Sequence, residues 1–115
     1  MSDDSEVVHE LLMGEQPFAI IADAIRILTV ERLKFQRLKD VIIEVIISRP
    51  KPTKEQLKLF AGQLLLDGRV RIYLRLSRPL NARLDEIKTD LSERLGGHCG
   101  VREAVVFCAL VISQR

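Results

Sequence analysis

The pattern of this chain predicts a single small domain of the α/β class, or of the neighbouring α+β class, built on a three-stranded, mostly parallel sheet. Three runs carry that expectation. "VIIEVII" at 41–47 is dense in β-branched residues, "VRIYLRL" at 70–76 alternates apolar and polar, and "AVVFCALVI" at 104–112 is apolar almost throughout. Stretches with helical spacing separate them, and strands alternating with helices favour parallel pairing through right-handed crossovers. Strands as apolar as the first and third must be covered on both faces.

With 115 residues the chain fits one domain, and such a length buries roughly two thirds of the surface exposed when unfolded. Residues 1–6 read as an acidic flexible tail and 7–115 as the folded unit. "EVVHELLM" offers about two turns of helix before Gly14 and Pro17 interrupt the pattern. From Pro17, which suits a first helical turn, Phe18, Ile21, Ala22, Ile25 and Leu28 recur at helical spacing. The run at 41–47 follows. Its β-branched density argues for a strand, although Leu38, Val41, Ile42, Val45 and Ile46 also satisfy a helical stripe. If it is helical, the fold becomes a helical layer on a short sheet, and 53–76 resembles a winged helix.

Pro50 and Pro52 exclude helix until Thr53, where Thr53 and Gln56 form a T-x-x-Q capping box. Leu57, Phe60, Ala61, Leu64 and Leu65 make the stripe of that helix, and Asp67-Gly68 supplies its stop. In the next strand Val70, Ile72, Leu74 and Leu76 point to the core, whereas Arg69, Arg71, Tyr73 and Arg75 point to water. Pro79 and Asn81, a candidate N-cap, open a helix with Leu84, Ile87, Leu91 and Leu95 inward, ended by Gly96-Gly97. The run at 103–113 closes the fold as a central strand. Ser-Arg-Pro occurs at 48–50 and at 77–79, each time read as the turn of a strand-turn-helix unit. The segments align at an offset of 29, but the helical stripes that follow are out of phase by two. Shared turn chemistry, in which proline forces its predecessor out of α conformation, accounts for the likeness better than duplication does.

The net charge of +2 hides an uneven distribution. Residues 1–15 hold five acids and no Lys or Arg, whereas 49–83 hold nine bases against Glu55 and Asp67. The candidate binding surface is therefore Arg69, Arg71, Tyr73 and Arg75, joined by Arg49, Lys51, Lys54 and Arg78. A strand projects such side chains at about 7 Å intervals, near the phosphate spacing of a nucleic acid strand. One Tyr, four Phe and no Trp leave little for base stacking. Arg49, Lys51, Lys54 and Arg78 also flank the Ser-Arg-Pro turns, where a helix start could attract an anion, but no glycine-rich phosphate loop is present.

Catalytic and metal chemistry find little to work with. His98 and Cys99 in "GGHCG" lack the further ligands a metal needs, and a position after a helix C-terminus disfavours a thiolate. Asp85 and Glu86 read as stabilising acids at a helix start, and Glu44 requires a partner that the sequence does not name. Two cysteines, an acidic beginning and no apolar run near 20 residues favour a reducing, cytoplasmic location without a membrane span. The resulting expectation is a non-catalytic protein-protein interaction or assembly module that self-associates, with a protein partner and no cofactor, metal or membrane. The alternative is a nucleic-acid-binding protein using the basic 49–83 surface, with weak affinity.

Overall fold

The computed structural model describes residues 5–115, apart from the side chain of Gln63. The first four residues of the acidic tail lie outside them. Along the chain run β1 (Glu6–Met13), α1 (Glu15–Arg32), α2 (Leu38–Ser48), α3 (Lys54–Lys58), β2 (Val70–Ser77), α4 (Arg78–Leu95) and α5 (Val101–Ser113). This is α+β architecture: five helices and a two-stranded antiparallel sheet, in place of the anticipated three-stranded, mostly parallel one.

Two of the three anticipated strands are helices. Residues 41–47 lie in α2, where Val41, Ile42 and Val45 are buried and Leu38 and Ile46 pack against the core. That is the helical stripe the same residues already satisfied. The two-sided burial a parallel strand would need is absent, since Ile47 is exposed. Residues 103–113 lie in α5, in which every residue from Ala104 to Leu110 is buried. A helix covered all round loses its apolar period, so sequence periodicity cannot tell it from a covered strand. Length could have arbitrated, because thirteen residues exceed the usual strand.

The segment that offered about two turns of helix is instead the strand β1. It pairs with β2 from Glu6↔Ser77 to Met13↔Val70, so the start of the chain finds its partner across more than half of the sequence. Val7, His9, Leu11 and Met13 face inward with Val70, Ile72, Leu74 and Leu76. Val8 and Leu12, apolar yet exposed, blur the alternation that would have marked the strand. The anticipated faces of β2 are observed. Because its partner comes from the start of the chain, residues 53–76 form no β-hairpin of the winged-helix kind.

The inner face of the sheet, α1, α2 and α4 all pack toward α5. On α1 the buried residues are Pro17, Ile21, Ala24 and Leu28, a face turned from the anticipated one, which leaves Phe18 and Ala22 exposed. α3 begins as expected: Thr53 Oγ1 accepts from Gln56 N at 3.1 Å, and Gln56 Oε1 accepts from Thr53 N at 2.9 Å. It is shorter than its stripe implied. A π turn over Leu59–Gln63 follows, with Gly62 at φ 135°, a conformation open only to glycine, and Leu64 leaves in extended form.

Ser-Arg-Pro does opposite work at its two sites. At 48–50 it ends a helix: Ser48 closes α2, Arg49 turns left-handed at φ 48°, and Pro50 bars continuation. At 77–79 it starts one, because Ser77 Oγ accepts from Leu80 N at 3.4 Å and Pro79 occupies the first turn of α4. Ser77, not Asn81, is the N-cap. Asp85 and Glu86 consequently lie beyond the first turn, paired with Lys88 and Arg83.

Gly68 does not stop a helix; it lets two backbones cross. A Cβ there would lie 2.3 Å from Gly14 Cα and 2.7 Å from the Met13 carbonyl oxygen, and Gly14 N donates to Leu66 O at 2.8 Å beside it. Backbone cannot yield as a side chain can, so Gly68→Ala is expected to lower unfolding free energy by about 1–3 kcal/mol or more. Chemical denaturation measures this, and an unchanged midpoint would show that the crossing is looser than described.

Candidate protein interface

Strand alternation places Glu6, Val8, Glu10 and Leu12 of β1 on the outer face of the sheet beside Arg71, Tyr73 and Arg75 of β2. Val8, Leu12 and Tyr73 are between 46% and 65% exposed. Arg71 Nε lies 2.9 Å from Glu10 Oε1 and Arg75 lies 3.9 Å from Glu6 Oε1. Each arginine reaches a diagonal neighbour, since Glu10 stands opposite Tyr73 and Glu6 opposite Ser77. Such exposed pairs stabilise by only about 0–1 kcal/mol. They do remove the bare positive stripe that sequence reading anticipated.

The other candidate residues are scattered. Arg69 is exposed just before β2, Lys54 opens α3, and Arg78 is the first residue of α4. Arg49 and Lys51 rim a cleft of about 260 Å³ between α2 and α4, floored by Val45, Leu91 and Phe107. Arg83 and Arg94 share this rim but are paired with Glu86 and Asp90. The basic segment 49–83 is thus several separate patches, and the Ser-Arg-Pro turn at 48–50 stands at a helix C-terminus, where the dipole repels anions.

Sequence reading passed over the connection between α1 and α2. Leu33 is 90% and Phe35 93% exposed, yet hydrogen bonds hold the segment. Leu33, at φ 52°, and Lys34 both donate their backbone N–H to Thr29 O, and Gln36 N donates to Thr29 Oγ1 at 3.0 Å. The Gln36 side chain donates to the carbonyls of Lys34 and Phe35 and accepts from Arg32 at 2.8 Å. A signal was available: two large apolar residues two apart, among bases, between two helices.

Glu44, His9 and Cys99 have structural partners. Glu44 accepts from Arg32 at 2.6 Å and from Arg115 at 2.8 Å, and Arg115 also reaches Glu31, so one carboxylate clasps α1, α2 and the chain end. His9 Nε2 lies 2.7 Å from Asn81 Oδ1, a pairing that puts the ring proton on Nε2. Cys99 N donates to Ser92 Oγ at 3.0 Å. Burial pushes the Cys99 thiol up, with the charge of Glu103 adding to it and Ser92 opposing. Burial pushes Cys108 up to about 12, against a backbone hydrogen bond that lowers it. Among the described residues no three side chains gather as a metal site, and no helix is long and apolar enough to cross a membrane.

The class defined so far is a small α+β domain of five helices and a two-strand ribbon, with an apolar, charge-paired outer sheet face. Comparison with protein-family models, curated proteins and solved structures finds no match to this chain.

Both thiols should resist an aromatic disulfide reagent in the native state at pH 8 and react fully on unfolding; rapid native labelling of Cys99 would contradict its burial. Because the native state holds the Cys108 proton up to about 12 while the unfolded thiol releases it near its usual 9.0, this group makes stability fall as pH rises through that interval. Glu44→Ala should cost about 1 kcal/mol, and less at high salt, since its partners are partly exposed. Paired denaturation curves at two salt concentrations check it.

Proposed function

We propose that this protein is a non-catalytic interaction module that self-associates through the outer face of its two-stranded sheet. The observation that carries the reading is the composition of that face. Val8, Leu12 and Tyr73 are exposed on it, and acids on one strand lie beside arginines on the other. Under a two-fold axis the acids of β1 meet the arginines of β2 in a second copy, and the converse, which is the self-complementarity an isologous dimer requires. Both strands are also sheet edges, whose backbone groups invite pairing. The free, buried thiols Cys99 and Cys108 suit the reducing, cytoplasmic compartment that goes with this reading. The nucleic-acid alternative is weaker, because the bases of 49–83 are dispersed and Arg71 and Arg75 already have carboxylate partners.

The size of the face bounds the affinity. Eight residues per strand, at about 3.3 Å each over two strands about 4.8 Å apart, give on the order of 300 Å², well below the ~800 Å² per partner of a standard interface. A modest, concentration-dependent dimer follows. Light scattering at roughly tens of micromolar should report it, and Leu12→Lys combined with Tyr73→Lys should return the monomer mass with an unchanged far-ultraviolet spectrum. A wild-type monomer at that concentration would remove the reading.

A further inference from the structure

We infer that the α1–α2 connection, with Phe35 and Leu33 as apolar anchors and Lys34, Arg37 and Lys39 as the charge around them, docks an acidic peptide segment of a partner protein. This surface adjoins the dimer face, because Arg37 and Lys39 also line a cleft with Glu6, Tyr73 and Arg75, and the inference stands whether or not the chain self-associates.

The first support is cost. Leu33 and Phe35 are almost wholly in water, and the segment between the two helices does not pay for that exposure with disorder. Thr29 accepts from the backbone N–H groups of Leu33, Lys34 and Gln36, through its carbonyl and its hydroxyl. Gln36 satisfies the carbonyls of Lys34 and Phe35 from its own side chain. Three N–H groups and two carbonyls of the tip are thus satisfied within the protein, and the backbone that carries the anchors is held in place. Binding then forfeits little conformational entropy, which is the condition under which a few side chains carry an interface.

The second support is charge. Acids near the tip are committed: Asp40 Oδ2 accepts from Arg37 N at 2.8 Å, and Glu44 holds Arg32 and Arg115. The side chains of Lys34, Arg37 and Lys39 have no carboxylate partner among the described residues. They line, with Phe35, a shallow cleft of about 560 Å³, a size that accepts two or three peptide side chains. An occupant must therefore be negative and part apolar.

An acidic peptide meets both demands, since it can set carboxylates on separate cations and an aliphatic or aromatic side chain against Phe35 and Leu33. A nucleic acid strand fits less well: a single exposed ring offers one stacking position, Leu33 has no role against a base, and the Asp40 carboxylate in the cleft opposes a continuous line of phosphates.

Fluorescence anisotropy tests this with a labelled peptide of repeated Asp-Leu-Glu-Phe, beside a Lys-for-acid version, oligo-dT and phosphatidylserine vesicles, at physiological salt. Saturable binding to the acidic peptide is expected, weakened about tenfold or more by Phe35→Ser and by Arg37→Glu with Lys39→Glu. The exchange Arg37→Lys with Lys39→Arg should largely retain it. The dimer-face change Leu12→Lys alone, outside the cleft that Arg37 and Lys39 share with Tyr73, should leave it unchanged, so failure of either proposal is seen separately. No binding of the acidic peptide, or binding indifferent to the Phe35 and Arg37/Lys39 variants, overturns the inference. Tighter binding to oligo-dT or to vesicles overturns it in favour of a nucleic acid or a membrane surface.

Discussion

Burial of the central turns of α5 is the constraint on which the rest of the structure depends. Seven consecutive residues, Ala104 to Leu110, are shielded, and Ile112 with them. A helix in that position must be covered around its whole circumference. α1, α2 and α4 and the inner face of the sheet supply the cover. At about 1.5–3 kcal/mol for each large aliphatic or aromatic side chain buried, this one helix accounts for a substantial part of what opposes chain entropy in so small a domain. Gly100 and Glu103 secure its start, the carboxylate accepting from Gly100 N at 2.7 Å. Gln56, a buried polar residue of the core, ties α3 to Gln114 just past the end of α5.

The surfaces follow from what that cover uses up. Two strands spend their inner face on α5 and have no layer left for the outer one, so Val8, Leu12 and Tyr73 stay in water. The long reach of β1 to β2 has an electrostatic consequence as well. It carries Glu6 and Glu10 from the acidic beginning of the chain onto the arginines of β2, and two segments of opposite charge become one mixed face. At the other end of α1, the turn into α2 is too short to fold Leu33 and Phe35 back onto the core, and Thr29 and Gln36 fix it where it is.

Local chemistry was legible where the cause is local. The box of Thr53 and Gln56, the end of α4 at Gly96, the two faces of β2 and the helix from Pro17 all rest on residues within a few positions of one another. Ser-Arg-Pro marks the limit of such reading. Proline fixes only that the backbone before it leaves α conformation. At 48–50 that requirement ends a helix and at 77–79 it precedes one, and the difference lies in which neighbours each segment packs against.

The amino-acid sequence by itself determined the cap at Thr53, the stop at Gly96 and the unequal charge along the chain, because those properties are written in composition and in contacts a few residues apart. Whether 41–47 and 103–113 are strands or helices was decided by tertiary structure, since a segment buried on all sides shows no period to read. Tertiary structure also decided the partner of β2, and with it the fate of the arginine stripe. A strand's pairing here is a contact between residues 57 to 71 positions apart, and nothing in either strand alone says which other segment will lie beside it.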